Sequence, residues 1–192
     1  MVRVLAISGK RFAGKDTLAG MILAEARRRG RSEPDAAHAF AGESKRMFVA
    51  VQAARGVAVD LVRLQGERAY KELWRPQLTE FTVAALRADP RVFCAAVADR
   101  VAAAGRSAVI SDLRLRLEVE HLRPRFDLRV VRVTRPDALR AASGWVVTPG
   151  VDDHPTETEL DDPGLWDEEL VNDGAPAELA GAVERRFAAW FG

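Results

Sequence analysis

A single cysteine, Cys94, in 192 residues excludes an internal disulfide framework and fits a reducing compartment. No apolar run approaches the length needed to cross a membrane, and Met1–Ile7 reads as a short strand without a cleavage site. A soluble, cytoplasmic protein with no membrane partner is therefore expected. Charge of one sign is also missing: 29 basic residues stand against 28 acidic ones, a net +1, which argues against a general nucleic-acid binder. The three histidines, His38, His121 and His154, show no metal-ligand spacing with one another or with Cys94, so zinc is not expected. No Ser/His/Asp or Cys/His hydrolase constellation, internal repeat or low-complexity linker is present. What remains is one domain's length of chain rich in alanine, valine and arginine, enough to bury an α/β core. Arginine greatly outnumbers lysine, and its planar fork suits bidentate capture of phosphate and carboxylate.

Against that background residues 9 to 17, Gly-Lys-Arg-Phe-Ala-Gly-Lys-Asp-Thr, carry the strongest chemical signal. They follow the apolar run Val2–Ile7, and Gly9 and Gly14 stand five apart with Lys15 next: a P-loop. The glycines let the backbone curl around Ala13 so that several N–H groups face one phosphate, while Lys15 reaches the β/γ oxygens. A helix over Asp16–Arg29 would point its positive end at the same anion. The Ser or Thr that ordinarily meets Mg²⁺ after the lysine is Asp16 here, with Thr17 one position on. Either this is drift, or a carboxylate organises the metal or its waters.

Further strands are expected over Ala36–Phe40, Ser107–Ile110, Leu128–Val133 (with Arg129 and Arg132 among valines) and Glu168–Val171. Helical patterns occupy Lys45 to about Ala103 (with a new helix from Pro90), then Leu117–Leu122, Arg135–Ser143 and Pro176–Phe191. Strands alternating with helices imply a parallel sheet with right-handed crossovers. This divides into a core (1–44, 104–134, 164–192), a helical block (45–103) and a lid (135–163). Asp112 ends an apolar strand, at the edge where a parallel sheet receives ligands. Two readings stand: a carboxylate of the Mg²⁺ shell with Arg114 on a phosphate beyond it, or a cap for the helix that follows. Gly144–Pro163, polar and long, reads as a segment that orders over ligand, with Arg140 before it able to neutralise a transferring phosphate. The alternative is a surface loop in which Trp145 packs locally. His154 reads as an ordinary loop residue.

These residues resemble a known family. Ser8-Gly9-Lys10-Arg11 with Gly14-Lys15-Asp16 is similar to the P-loop of animal-type phosphomevalonate kinase, which also has Asp after the lysine. The resemblance continues through Tyr70-Lys71-Glu72 with Arg75, Ala88-Asp89-Pro90 with Phe93-Cys94, and Ser111-Asp112 with Arg114. It ends with Gly144-Trp145-Val146, Thr148-Pro149-Gly150-Val151-Asp152-Asp153, Asn172 and Gly174. It implies a P-loop NTPase of nucleoside-monophosphate-kinase-like fold, with a helical acceptor-binding region and a lid. It also implies transfer of the ATP γ-phosphoryl group to mevalonate 5-phosphate with Mg²⁺, by a monomer or weak dimer. On that resemblance Lys10, Arg11 and Lys15 bind ATP, Arg140 comes from the lid and Asn172 lies near adenine. Lys45, Tyr70, Lys71, Arg75, Arg87, Asp112 and Arg114 serve the acceptor, with Lys15, Arg114 and Arg140 catalytic and Asp16 and Asp112 at the metal.

Departures from the family pattern cluster around the acceptor. Arg114 is followed by Leu115 with Arg116 beyond it, Leu86 stands where a helical arginine is expected with Arg87 beside it, and Ser143 replaces a second lid arginine. Gly14-Lys15-Asp16-Thr17, Ile110-Ser111-Asp112 with Arg114, His154-Pro155-Thr156-Glu157 and Asn172-Asp173-Gly174 are also similar to bacteriophage-type deoxynucleoside monophosphate kinases. For a nucleobase the helical block offers Tyr70, Trp74, Gln77 and Phe81, which read equally as the core face of their helices.

Overall fold

Among the described residues five short strands, β1 (Arg3–Ser8), β2 (Asp35–His38), β3 (Ala108–Leu113), β4 (Asp127–Thr134) and β5 (Glu168–Val171), make one parallel sheet in the order β2-β3-β1-β4-β5. The computed structural model describes residues 1–30, 35–187 and 190. β1 lies at the centre, and Val4 to Ile7 are fully buried. Alternation along it divides the core. Val4 and Ala6 join Phe93, Val97, Val101 and Ile110 on one face. Leu5 and Ile7 join Leu18, Ile22, Leu179 and Phe187 on the other. Burial on both faces explains why the strands read as continuous apolar runs.

Helix α1 (Lys15–Arg28) follows β1, and α2 (Phe40–Ala54) follows β2. The helical block continues with α3 (Leu61–Gly66), α4 (Arg68–Ala88) and α5 (Val92–Ala104). α6 (Arg116–Leu122) follows β3 and α7 (Asp137–Ala142) follows β4; α8 (Pro155–Thr158) and α9 (Pro176–Phe187) complete the set among the described residues.

Several boundaries differ from expectation for identifiable reasons. The second strand stops at His38, and Phe40 opens α2 because Asp112 caps that helix. The third strand runs past Ile110 to Leu113, and three of its residues span two of β1 between Ala6 and Ser8. That bulge lies at Ser111 and Asp112, where it re-aims the chain beside the P-loop. The segment expected as a loop over 144–163 holds α8 and two 3₁₀ turns, Glu159–Asp161 and Pro163–Leu165. His154 caps α8, its ring accepting from the Thr156 N–H at 3.3 Å. The closing helix is described to Phe187; positions 188, 189 and 191 lie outside the described residues.

α4 runs through Pro76 and has no fully buried residue, so it leans on the core rather than entering it. Phe48 of α2 is its anchor, with ring centroids 5.9 Å from Trp74 and 5.8 Å from Phe81. Trp74 and Phe81 are thus the half-buried face by which α4 packs on Phe48, in edge and tilted contacts.

Candidate active site

At the carboxyl end of β1 the loop turns where only glycine fits. A Cβ on Gly9 (φ 151°) would lie 2.4 Å from the Val133 carbonyl oxygen, and one on Gly14 (φ 99°) 2.5 Å from Asn172 Nδ2. Asn172, buried just after β5, donates to the Ala13 carbonyl at 2.9 Å. The side chain expected near adenine therefore braces the loop across the sheet. α1 begins at Lys15 with no side-chain cap, leaving its first N–H groups for an anion.

Lys15 is only 9% exposed, and its amine donates back to the Gly9 and Lys10 carbonyls at 2.6 and 3.0 Å. Burial, with Arg114 nearby, lowers its pKa to about 8. Asp16 and Thr17 are exposed on the first turn of α1. Asp112 accepts from the backbone N–H groups of Phe40 (2.8 Å) and Ala41 (3.0 Å), so it caps α2 rather than the helix that follows. Burial raises its pKa against the pull of those two bonds and of Arg114, and Asp16 is close enough to raise it further. The two carboxylates thus share one neighbourhood beside the P-loop.

Arg114 lies on the P-loop side. Its guanidinium pairs with Glu157 and reaches the Thr156 carbonyl at 3.2 Å. Glu157, 5% exposed, also accepts from the Arg11 backbone N–H at 2.8 Å. One carboxylate thus ties α8 to the P-loop and to Arg114. Arg140 is equally buried; it donates to the Arg11 carbonyl (2.9 Å), pairs with Asp137 (2.7 Å) and stacks 3.8 Å from the Trp145 ring. Asp152 accepts from Trp145 Nε1 (3.2 Å), the Thr148 N–H (2.7 Å) and Arg11 (3.4 Å), and these bonds, Thr148 first, hold its pKa down. The Gly144–Asp153 stretch is thereby seated on the P-loop.

A cavity of about 570 Å³ opens beside this seat, lined by Lys10, Ala13, Arg132, Arg135, Arg140 and Trp145 among others. Arg132 and Asp161 are the residues sequence reasoning passed over. Arg132 is buried, donates to Ser8 Oγ at 3.0 Å and pairs with Asp161, which also pairs with Lys10 at 2.9 Å. An arginine inside a valine strand was the available signal.

A smaller cavity of about 300 Å³ lies between α2 and α4. Lys45, Lys71 and Arg75 line it with Ser44, Thr79, Thr82, Leu78 and Val83. Burial, then Lys71, lowers the pKa of Lys45, and Asp112 opposes them. Lys45 also lines an adjoining cavity of about 400 Å³ with His38, Glu43, Arg46 and Arg100. Three expected cations therefore converge. Four other residues expected there do not line it: Arg114 is paired with Glu157, Asp112 caps α2, the Tyr70 hydroxyl accepts from the Asp60 N–H at 3.0 Å beneath Arg63, and exposed Arg87 is absent from the cavity wall. Arg87 is one residue off the 75–79–82–86 stripe, so it faces another way.

The family model described as Phosphomevalonate kinase matches residues 7–127, from the end of β1 into β4. A phosphomevalonate kinase of Drosophila melanogaster is 27% identical over 174 residues, covering 84% of this chain and 83% of that protein. Among solved structures, an unliganded sugar kinase from Janibacter aligns over 97% of this chain and 95% of that one, at 15% identity and a TM-score of 0.44. Shikimate kinase from Aquifex aeolicus aligns over 96% and 95%, at 11% identity and a TM-score of 0.45. With the family match spanning well over half its length, the chain belongs to the phosphomevalonate kinase family.

Proposed function

We propose that this chain transfers the γ-phosphoryl group of ATP to mevalonate 5-phosphate, giving mevalonate 5-diphosphate and ADP. The observation that carries the reading is the convergence of Lys45, Lys71 and Arg75 on one small cavity electrostatically linked to Asp112. A phosphate ester that also bears a carboxylate needs several cations, each contact a charge-assisted hydrogen bond. The nucleotide alternative draws no support here, because Trp74 and Phe81 are engaged with Phe48.

The shape of the loop supports a bound triphosphate: a Cβ at Gly9 or Gly14 would collide with the Val133 carbonyl oxygen or with Asn172, so only glycine permits this curl, and the first turn of α1 has no side-chain cap. In the transfer, an oxygen of the acceptor phosphate forms a bond to the γ-phosphorus while the bond to the β–γ bridging oxygen breaks and ADP leaves. Lys15 exchanges its two loop carbonyls for the β/γ oxygens. Arg114 and Arg140, held by Glu157 and by Asp137 with Trp145, stand ready for the equatorial charge. Lys10 and Arg11 bind the donor phosphates, and Lys45, Lys71 and Arg75 hold the acceptor. Asp16 and Asp112, whose carboxylates share one neighbourhood beside the loop, would hold the waters of a magnesium ion, which would supply positive charge against the developing phosphate charge. Residues 45–103 act as the acceptor-binding region and 135–163 as the lid.

ADP release with mevalonate 5-phosphate, measured beside dNMPs, CMP and UMP, tests the reading. Turnover is expected on mevalonate 5-phosphate; a nucleoside monophosphate used far faster would overturn the substrate and leave the kinase.

A further inference from the structure

The hydroxyl pair on the wall of the smaller cavity has a fixed polarity. Thr82 Oγ1 lies 2.7 Å from the Leu78 carbonyl oxygen one helical turn back. A carbonyl only accepts, so the Thr82 proton points at Leu78. Ser44 Oγ lies 2.7 Å from Thr82 Oγ1, which has only lone pairs left for it. Ser44 must therefore donate. Its single proton is engaged, and its oxygen offers the cavity lone pairs alone.

This matters because of its neighbours. Ser44 is 5% exposed and shares its wall with Lys45, Lys71 and Arg75. Anionic oxygens are drawn to the cations and repelled by a lone-pair surface, whereas a neutral hydroxyl can donate to Ser44. The cavity thus has a cationic end and a point that asks for a hydrogen-bond donor. A site built around a buried polar atom discriminates against an analogue that leaves it unpaired.

We propose that Ser44 is a specificity-determining residue that accepts a hydrogen bond from the co-substrate's tertiary hydroxyl, with Thr82 setting its polarity. This rests on the function proposed above and adds the orientation of the co-substrate: carboxylate and phosphate on the cations, hydroxyl on Ser44. Ser44→Ala leaves no donor unpaired, since Thr82 still gives its proton to Leu78, so the variant should keep its melting temperature.

The test is a cycle of kcat/KM values for wild type, Ser44→Ala and Thr82→Val, with mevalonate 5-phosphate and its 3-deoxy analogue. Wild type should prefer the hydroxylated compound about fivefold to tenfold, the worth of one neutral hydrogen bond. Ser44→Ala should lose that factor on mevalonate 5-phosphate and treat the two compounds alike. Thr82→Val frees the Ser44 proton and should weaken the preference without abolishing turnover. Ser44→Ala slowing both compounds equally, or neither, would overturn the proposal alone. Wild-type turnover on neither compound would overturn it together with the functional reading.

Discussion

Lysine is rare in this chain, and its use is selective. The four lysines are Lys10, Lys15, Lys45 and Lys71, and every one lies in the P-loop or on the smaller cavity between α2 and α4. Lys15 should contribute mainly to the transition state, so Lys15→Met should lower kcat at least about 10²-fold while the glycine-held loop stays folded. Near-normal turnover would remove the P-loop from the mechanism. Its pKa of about 8, against the usual 10.5, also sets a pH dependence. Keeping the buried amine charged costs stability below pH 8, and that cost fades between 8 and 10.5. For binding the sign is opposite: above pH 8 the free enzyme loses the charge that attracts ATP. The kcat/KM for ATP should fall by up to about tenfold per pH unit there. In Lys15→Arg the break should vanish; a break that persists would assign it elsewhere. Glu157→Gln tests a buried charge of opposite sign. Arg114 would lose its counter-ion but keep the Thr156 carbonyl, so kcat should drop about tenfold for a destabilisation of about 1–3 kcal/mol. An unchanged kcat at the same loss of stability would make Glu157 a structural tie only.

At the scale of elements, two helices show how a site residue can also be a structural one. Arg75 pairs only with Glu72 on the exposed face of α4, at 2.6 Å. Surface pairs of this kind contribute little to stability. Arg75→Gln should leave the melting temperature unchanged while raising the KM for mevalonate 5-phosphate by about one to two decades, with the KM for ATP intact. An unmoved acceptor KM would take α4 out of the site. α6 carries a pH signature: Glu118 is buried, accepts from the Arg114 and Leu115 N–H groups at 2.7 and 3.0 Å, and has its pKa raised to about 7 by burial. The native state binds the extra proton between pH 4.5 and 7, so this group's contribution to stability falls as pH rises through that window. Glu118→Gln should flatten that part of the stability–pH curve; an unaltered slope would place the titration elsewhere. The elements were legible to different depths. The strand at Glu168–Val171 was readable to the residue because its neighbours are turn formers, whereas α2 began five residues early. Its start depends on Asp112, seventy-two positions away, and no local pattern announces such a cap.

At the scale of the whole molecule, the chain by itself determined the P-loop and the parallel sheet. Glycine spacing, apolar runs and turn residues act over a few positions, and burial on both faces of a parallel sheet leaves no other place for such strands. The tertiary structure alone decided how charges and protons are shared. Glu157 meets Arg11 and Arg114 from 146 and 43 positions away, and Asn172 reaches Ala13 across the sheet. It also turned Tyr70 and Arg87 away from the cavity, since one residue of offset on a helix is about 100° of rotation. The polarity of Ser44 followed only once α4 stood against α2. Which oxygen donates is settled by the distance to the next acceptor, and that distance exists only in the folded chain.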